Sequence, residues 1–221
     1  MTTSVAEKGL SRRERLDQLI QMAPIIPVIT IDRIENAVPL ARALVAGGLR
    51  LLEITLRTPA ALPAASAIAA QVPDAVVGIG TVLTPKDLDQ AEKLGAHFAL
   101  SPGATPDLLA AASKSHLPFL PGIATASELM LALSYGFDTM KFFPAVPAGG
   151  QAALRAFGGP FPEARFCPTG GIGEKDAKDW MALPNVICVG GSWITPATDI
   201  RSGNWDAITE RARRSLAGFR E

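Results

Sequence analysis

The chain has 221 residues, of which 48% are hydrophobic and 19% are charged, and this composition is typical of a globular protein with a packed core. Its 21 basic and 21 acidic side chains cancel, so the chain has no general electrostatic attraction for nucleic acid or for an anionic membrane. No apolar run reaches the roughly 18 residues of a transmembrane helix, and the mixed charges near the N-terminus predict no secretory signal.

In chain order, residues 11–22 predict an extra N-terminal helix, and eight apolar runs then predict strands at 24–31, 49–57, 75–83, 97–102, 118–124, 139–145, 165–171 and 186–193. Amphipathic segments separate the strands. Two of these segments open with Thr84-Pro85 and Thr105-Pro106, and a threonine cap followed by proline is typical of a helix start. Strands that alternate with helices predict βαβ units and a parallel sheet.

Eight such units favour an α/β fold of the (β/α)8 TIM barrel type. The chain is short for this fold, because such barrels usually take about 250 residues. An open doubly wound sheet is the alternative. That alternative lacks support, since "TIDRIENA" stands after the first strand in place of a Gly-rich dinucleotide fingerprint. We predict one barrel domain over residues 1–221, with residues 1–22 forming a leader and a helix that closes the barrel bottom.

The segment "TMKFFPA" places Lys141 inside an apolar strand, whereas the other six lysines lie in polar, helix-like or terminal segments. Side chains two apart share one face of a strand. Lys141 is therefore predicted to point into the barrel, as are Glu53, Thr55 and Arg57 of the second strand. Thr81 ends the third strand.

These residues together suit chemistry on an α-keto acid. Burial and a nearby Arg57 disfavour the charged form of Lys141, and its neutral amine can form a Schiff base with a ketone. Glu53 can move the protons that this chemistry requires. Arg57 can hold a carboxylate, with the hydroxyl of Thr81 beside it. The alternative is an internal salt-bridge network between Glu53 and Lys141 or Arg57, which would add little net stability.

The last two predicted strands each end in paired glycines, within "PTGGIGEKD" and "VGGSWITPA". Gly170 and Gly171 are expected to free backbone N–H groups at a helix start, as are Gly190, Gly191 and Ser192. Loops after strands seven and eight form the phosphate site of many barrels, so we predict phosphate binding here. The alternative is that each glycine pair only serves a tight turn.

Cys167 and Cys188 are isolated in apolar runs, which suits a reducing compartment and argues against a zinc site. The two histidines, His97 and His116, lie where a metal ligand is not expected. We therefore predict a cytoplasmic protein that takes a small-molecule substrate, needs no metal or cofactor, and binds neither nucleic acid nor membrane.

Seven motifs follow one another along the chain: "LLEITLRT", "GIGTVL", "SPG", "PGIAT", "KFFPA", "PTGGI" and "GGSW". In this order and spacing, from about Pro24 to the C-terminus, the sequence resembles the 2-keto-3-deoxy-6-phosphogluconate aldolase family, which also includes 4-hydroxy-2-oxoglutarate aldolases. The resemblance implies a lyase, a class I aldolase that forms a Schiff base with its substrate. It also implies a homotrimer. The loop "VPAGG" is more apolar than that of the family.

By this resemblance Lys141 corresponds to the Schiff-base lysine and Glu53 to the proton-transfer glutamate. Arg57 and Thr81 correspond to the residues that hold the pyruvate carboxylate. Further matches are Pro102 and Phe143 in the pocket wall, Thr169 at a position linked to stereochemical preference, and Gly170, Gly171, Gly190, Gly191 and Ser192 in the phosphate cradle.

Three other functions remain as alternatives. One is an aldolase for the galactonate-derived epimer of the same substrate. Another is a metal-independent sugar-phosphate isomerase or epimerase on the same barrel, and a third is a non-catalytic sugar-acid binding protein. Neither of the last two needs a buried lysine that faces a glutamate.

Overall fold

The computed structural model describes residues 10–219 of the chain. Nine β-strands run through them: β1 (Ile25–Ile29), β2 (Leu51–Thr55), β3 (Val76–Gly80), β4 (Phe98–Leu100), β5 (Phe119–Leu120), β6 (Gly122–Ile123), β7 (Thr139–Phe142), β8 (Arg165–Pro168) and β9 (Val189–Gly191). Each lies within one of the eight predicted apolar runs, and only the fifth run holds two strands.

Ten α-helices lie in the same residues: α1 (Arg12–Ile20), α2 (Ala37–Ala46), α3 (Ala61–Gln71), α4 (Pro85–Leu94), α5 (Pro106–Lys114), α6 (Ala126–Ser134), α7 (Gly150–Gly158), α8 (Ala177–Met181), α9 (Ala197–Ser202) and α10 (Trp205–Ala217). A short 3₁₀ turn (Ile34–Asn36) precedes α2. The predicted threonine caps are confirmed, because Thr84 accepts a hydrogen bond from the N–H of Asp87 and Thr105 from that of Leu108. Within the described part of the chain, no helix is both long and apolar enough to cross a bilayer.

The strands form parallel sheets, as the alternation of strands and helices predicted. Six strands pair in the order β5-β4-β3-β2-β1-β9, and β6, β7 and β8 form a second ladder. Two isolated parallel bridges, Phe166 with Val186 and Thr169 with Gly190, run between the ends of the two sheets. The fold is thus an α/β fold in which a curled six-stranded parallel sheet carries helices on its outer face.

The fifth predicted strand is divided at Pro121, which has no N–H to donate to a ladder. β5 on one side of this proline pairs with β4, whereas β6 on the other side pairs with β7. The N–H of Gly122 donates instead to the hydroxyl of Ser101, at 3.1 Å. The proline therefore transfers the chain from one sheet to the next.

Strand alternation separates the buried residues into two clusters. Leu52 and Ile54 pack outward with the helices, whereas Leu51 faces an inner cluster that also contains Phe98. The predicted N-terminal helix is present as α1, and it adds Leu16 and Ile20 to this inner cluster. Residues 1–9 of the predicted leader lie outside the described residues.

The inner cluster is packed so tightly that a single added methyl group should lower the stability of the fold. A Cβ at Gly78 would lie 2.2 Å from the ring of Phe98, whereas a Cβ at Gly103 would meet nothing within 4 Å. We expect Gly78→Ala to lower the free energy of unfolding in urea by about 1–3 kcal/mol through overpacking. Gly103→Ala, as the matched control, should lower it by much less, and equal losses would contradict this account of the interior.

Candidate active site

The centre of the candidate site is a buried pair of charged side chains that joins the two sheets. Lys141 on β7 donates a hydrogen bond from Nζ to Oε1 of Glu53 on β2, at 2.8 Å. The two side chains are 3% and 1% exposed. The inward position predicted for both residues is therefore confirmed, and the charged group in contact with Lys141 is a carboxylate.

The second carboxylate oxygen of this pair is unsatisfied. Oε2 of Glu53 is buried and accepts no hydrogen bond from the described residues. A buried acceptor without a donor is costly in free energy, so such an atom requires an explanation. A substrate hydroxyl or a water molecule that donates to Oε2 would supply one.

Two glycines that the sequence interpretation missed allow close approaches around this pair, Gly80 by Glu53 and Gly122 by the backbone of Pro102. A Cβ at Gly80 would lie 2.1 Å from Oε1 of Glu53. Gly122 stands opposite Lys141 in the ladder, and a Cβ there would lie 2.2 Å from the backbone of Pro102. Glycine inside a strand often marks such close approaches, so "GIG" and "PGIA" carried the signal.

Aromatic and proline residues border the amine. The ring centroid of Phe143 lies 5.6 Å from Nζ of Lys141, within the usual range of a cation–π contact. Phe143 and Pro102 are both half-buried, and the Phe143–Pro144 peptide bond is cis. The structure therefore brings both predicted pocket-wall residues close to the Lys141 segment, Phe143 by direct contact and Pro102 through Gly122.

The two residues predicted to hold a carboxylate lie at strand ends. β2 ends at Thr55, so the strict alternation does not extend to Arg57, whose side chain is exposed. Thr81 directly follows β3 and has a φ of 60°, a left-handed conformation that is unfavourable for a β-branched residue. Thr55 has a structural role, because its hydroxyl donates to the carbonyl of Ile29 at 2.9 Å and so links β2 to β1.

Thr169 lies at the junction between the two sheets. It is buried after β8, and its bridge partner Gly190 has no room for a side chain, since a Cβ would lie 2.1 Å from Oγ1 of Thr169. The next two residues, Gly170 and Gly171, have φ values of 104° and 83°, which favour glycine. A Cβ at Gly170 would also lie 3.3 Å from the ring of Phe143.

The glycine pairs do not begin helices, and this part of the prediction was wrong. After Gly171 the chain makes a turn before α8 starts at Ala177, and after Ser192 it makes another before α9 starts at Ala197. Gly191 is required by a close approach, because a Cβ there would lie 1.9 Å from the ring of Trp193. Ser192 is exposed beside these residues, so an anion could reach its hydroxyl.

The two free cysteines lie in the inner cluster, next to the charged pair. Cys167 stands opposite Lys141 in the ladder between β7 and β8. Contact with the Cys167 thiol and burial hold the pKa of the Cys188 thiol well above its usual value. A thiol that stays protonated is a poor nucleophile, which argues against Cys188 as a reactive group of this interior.

The electrostatics of the buried pair can be tested by measuring stability. Lys141→Met leaves the Glu53 carboxylate buried without a partner and should lower the free energy of unfolding in urea by about 3–5 kcal/mol. Adding Glu53→Leu removes that charge and should recover much of the loss. As a control, Lys93→Met breaks the exposed ion pair with Asp89 and should change the free energy of unfolding by less than about 1 kcal/mol. A double variant less stable than Lys141→Met alone would contradict this interpretation of the pair.

Comparisons with known proteins identify the family of the chain. The family model described as "KDPG and KHG aldolase" matches residues 16–211. The 2-dehydro-3-deoxy-phosphogluconate aldolase of Dickeya dadantii is 52% identical over 202 residues, which cover 91% of this chain and 95% of the relative. The KHG/KDPG aldolase of Escherichia coli K12 is 50% identical with the same coverage.

A solved structure extends the comparison to the fold. It is a KDPG aldolase from Legionella pneumophila with pyruvate captured at low pH as a covalent carbinolamine intermediate, and it is 48% identical. It superposes with a TM-score of 0.88 over 90% of this chain and 97% of its own. The family model matches most of the chain, and the relatives are about 50% identical to it. This chain therefore belongs to the KDPG and KHG aldolase family.

Proposed function

We propose that this chain is a class I aldolase that cleaves 2-keto-3-deoxy-6-phosphogluconate to pyruvate and glyceraldehyde 3-phosphate. The observation that carries this proposal is the buried contact of 2.8 Å between Nζ of Lys141 and Oε1 of Glu53. The relatives named as aldolases for this substrate support it, as does the carbinolamine captured in the Legionella pneumophila relative. Since another relative is named KHG/KDPG aldolase, 4-hydroxy-2-oxoglutarate is the second substrate that we propose.

Lys141 supplies the nucleophile. Among the described residues its one ion-pair partner is Glu53. Only a free amine can attack a carbonyl carbon, and the carboxylate of Glu53 is in position to accept the proton that an ammonium group would have to lose. The free amine then adds to C2 of the substrate to give a carbinolamine. Glu53 returns its proton to the hydroxyl group at C2, which leaves as water, so that a protonated imine and a free Glu53 carboxylate remain.

Glu53 supplies the proton transfers of the later steps. Its unsatisfied Oε2 can accept the C4 hydroxyl proton, directly or through one water molecule. The C3–C4 bond then breaks, its electron pair moves toward the iminium nitrogen, and the aldehyde leaves. Protonation of the resulting enamine at C3 and addition of water to the imine release pyruvate and restore the Lys141 amine.

The predicted binding residues complete the proposal. Arg57 and Thr81, at the carboxyl ends of β2 and β3, would hold the pyruvate carboxylate. The half-buried Phe143 and Pro102 would form the wall beside the imine, and the buried Thr169 would contact the substrate chain. We propose that the loops with Gly170, Gly171, Gly190, Gly191 and Ser192 cradle the phosphate.

Architecture, assembly and location follow as further parts of the proposal. We propose that the two sheets close as a single eight-stranded (β/α)8 domain, with β5 and β6 acting as one strand interrupted at Pro121. The parallel bridges of Phe166 and Thr169 to the β9 segment support this closure. The homotrimer implied by the family resemblance and the cytoplasmic location remain predictions, and the free thiols of Cys167 and Cys188 are compatible with a reducing compartment.

Covalent trapping tests the Schiff base directly. Borohydride added in the presence of pyruvate should attach one reduced pyruvyl group per chain, and peptide mass mapping should place it on Lys141. Lys141→Met should give no adduct. The matched control Lys178→Met, on an exposed position of α8, should be modified like the unaltered chain. An unmodified Lys141 peptide would contradict the proposed mechanism.

Ser192 tests the phosphate cradle. Ser192→Ala should reduce kcat/KM for the phosphorylated substrate by about tenfold or more, because a hydrogen bond to a charged phosphate is lost. It should change kcat/KM for 4-hydroxy-2-oxoglutarate much less. Ser202→Ala, which removes an exposed hydroxyl that bonds the Asp199 carbonyl, serves as the control. Equal losses for both substrates would count against the phosphate assignment.

A further inference from the structure

A second cleft lies at the amino ends of the strands, away from the candidate active site. Its volume is about 440 Å³, which is within the usual range for sites that take a small molecule. Helix α1, the C-terminal end of α5 and the segment from Gly136 to Thr139 form its walls. Thr139 begins β7, so the cleft and Lys141 lie toward opposite ends of the same strand.

The lining of this cleft is strongly basic. Arg12, Arg13 and Arg15 of α1 line it together with His116, and Asp138 is the one carboxylate among its lining residues. Asp138 already forms an ion pair with Arg13 and lies 3.8 Å from Arg165. The negative charge of Asp138 is therefore already balanced by Arg13, and the charges of Arg12 and Arg15 remain in excess.

Arg12 is held in place without a carboxylate partner among residues 10–219. Its Nη1 donates to the carbonyl of Ala112 at 2.9 Å, and its guanidinium group lies 4.3 Å from the ring centroid of Phe137. Burial lowers the pKa of Arg12 from its usual value, Asp138 raises it, and the positive charge of Arg15 lowers it again. The two guanidinium groups thus repel one another in a partly desolvated position.

Arg15 has an unsatisfied donor. Its Nε–H is buried and meets no acceptor in the described part of the chain, and Arg15 forms no ion pair there. A buried donor without an acceptor is unfavourable. An anion held between Arg12 and Arg15 would neutralise the repulsion between their guanidinium groups.

We propose that this cleft is a second anion site that binds the phosphate group of a small phosphate ester between Arg12 and Arg15. Guanidinium groups bind phosphate oxygens through paired, charge-assisted hydrogen bonds, which suits a doubly charged phosphate better than a single carboxylate. His116 adds a further donor at the mouth of the cleft. The remaining volume takes the organic part of the ester, against Phe137 and the start of β7.

This site is distinct from the phosphate cradle of the proposed active site. The cradle residues lie at the carboxyl ends of two strands, Gly170 and Gly171 just after β8 and Gly190 to Ser192 at the end of β9. The cleft is bounded by the first residues of β5 and β7, at the amino ends. Occupancy of one site can therefore be measured while the other is disabled.

Inorganic phosphate and glycerol 3-phosphate are suitable probes, used on the full chain in a Ser192→Ala background that weakens binding at the cradle. A ligand that binds the folded state raises the midpoint of thermal unfolding as its concentration increases. We expect both probes to raise the midpoint, and glycerol 3-phosphate to act at concentrations no higher than inorganic phosphate. Adding Arg15→Gln should weaken both apparent affinities by about tenfold or more, because a charge-assisted contact is lost.

The control is Arg213→Gln, which removes an equal charge from the exposed pair with Glu210 on α10 and should leave the titrations unchanged. If Arg15→Gln does not fold, Arg15→Lys keeps the charge, loses the fork of donors, and should still weaken binding severalfold. The inference is overturned if neither probe raises the midpoint, or if the Arg15 variants respond like Arg213→Gln. A response to inorganic phosphate with none to glycerol 3-phosphate would overturn the assignment of a phosphate ester.

Discussion

The hydrogen-bonded ion pair of Lys141 and Glu53 is the constraint on which the rest of the site depends. Both side chains are almost completely buried, and transfer of two charges from water to the interior has a large desolvation cost. Only a short, well-aligned contact offsets that cost. The backbone around the pair must therefore hold β7 of one sheet and β2 of the other at a fixed separation, which is why small residues and close backbone approaches surround it.

As a consequence, the interior changes from apolar to polar along the strands. Toward the end covered by α1, it is filled by apolar side chains such as Phe98, with Leu16 of the helix against them. Further along the strands it becomes polar at Glu53, Lys141 and Thr169. The apolar end excludes water from one side of the charged pair, and the polar residues lie toward the carboxyl ends of the strands.

Strand alternation was sufficient to predict the central pair, because a period of two residues fixes which face a side chain occupies once the strand is recognised. The same rule does not extend to Arg57, since β2 ends two residues earlier. The division of the fifth strand at Pro121 depends on which neighbour each half pairs with, and that is a tertiary property. The roles of Gly80 and Gly122 likewise depend on side chains and backbone that are distant in sequence.

A structural role alone does not account for the pair. Buried ion pairs are poor stabilisers compared with apolar residues of similar volume, so a site selected for stability alone would have little reason to contain one. A purely structural pair should also satisfy all its polar atoms, yet Oε2 of Glu53 has no donor in the described chain. The amine of such a pair can give up a proton to the carboxylate, and the free oxygen of the carboxylate can accept one from a substrate. The unsatisfied oxygen therefore supports the proposed catalytic role of the pair more directly than the burial of the lysine does.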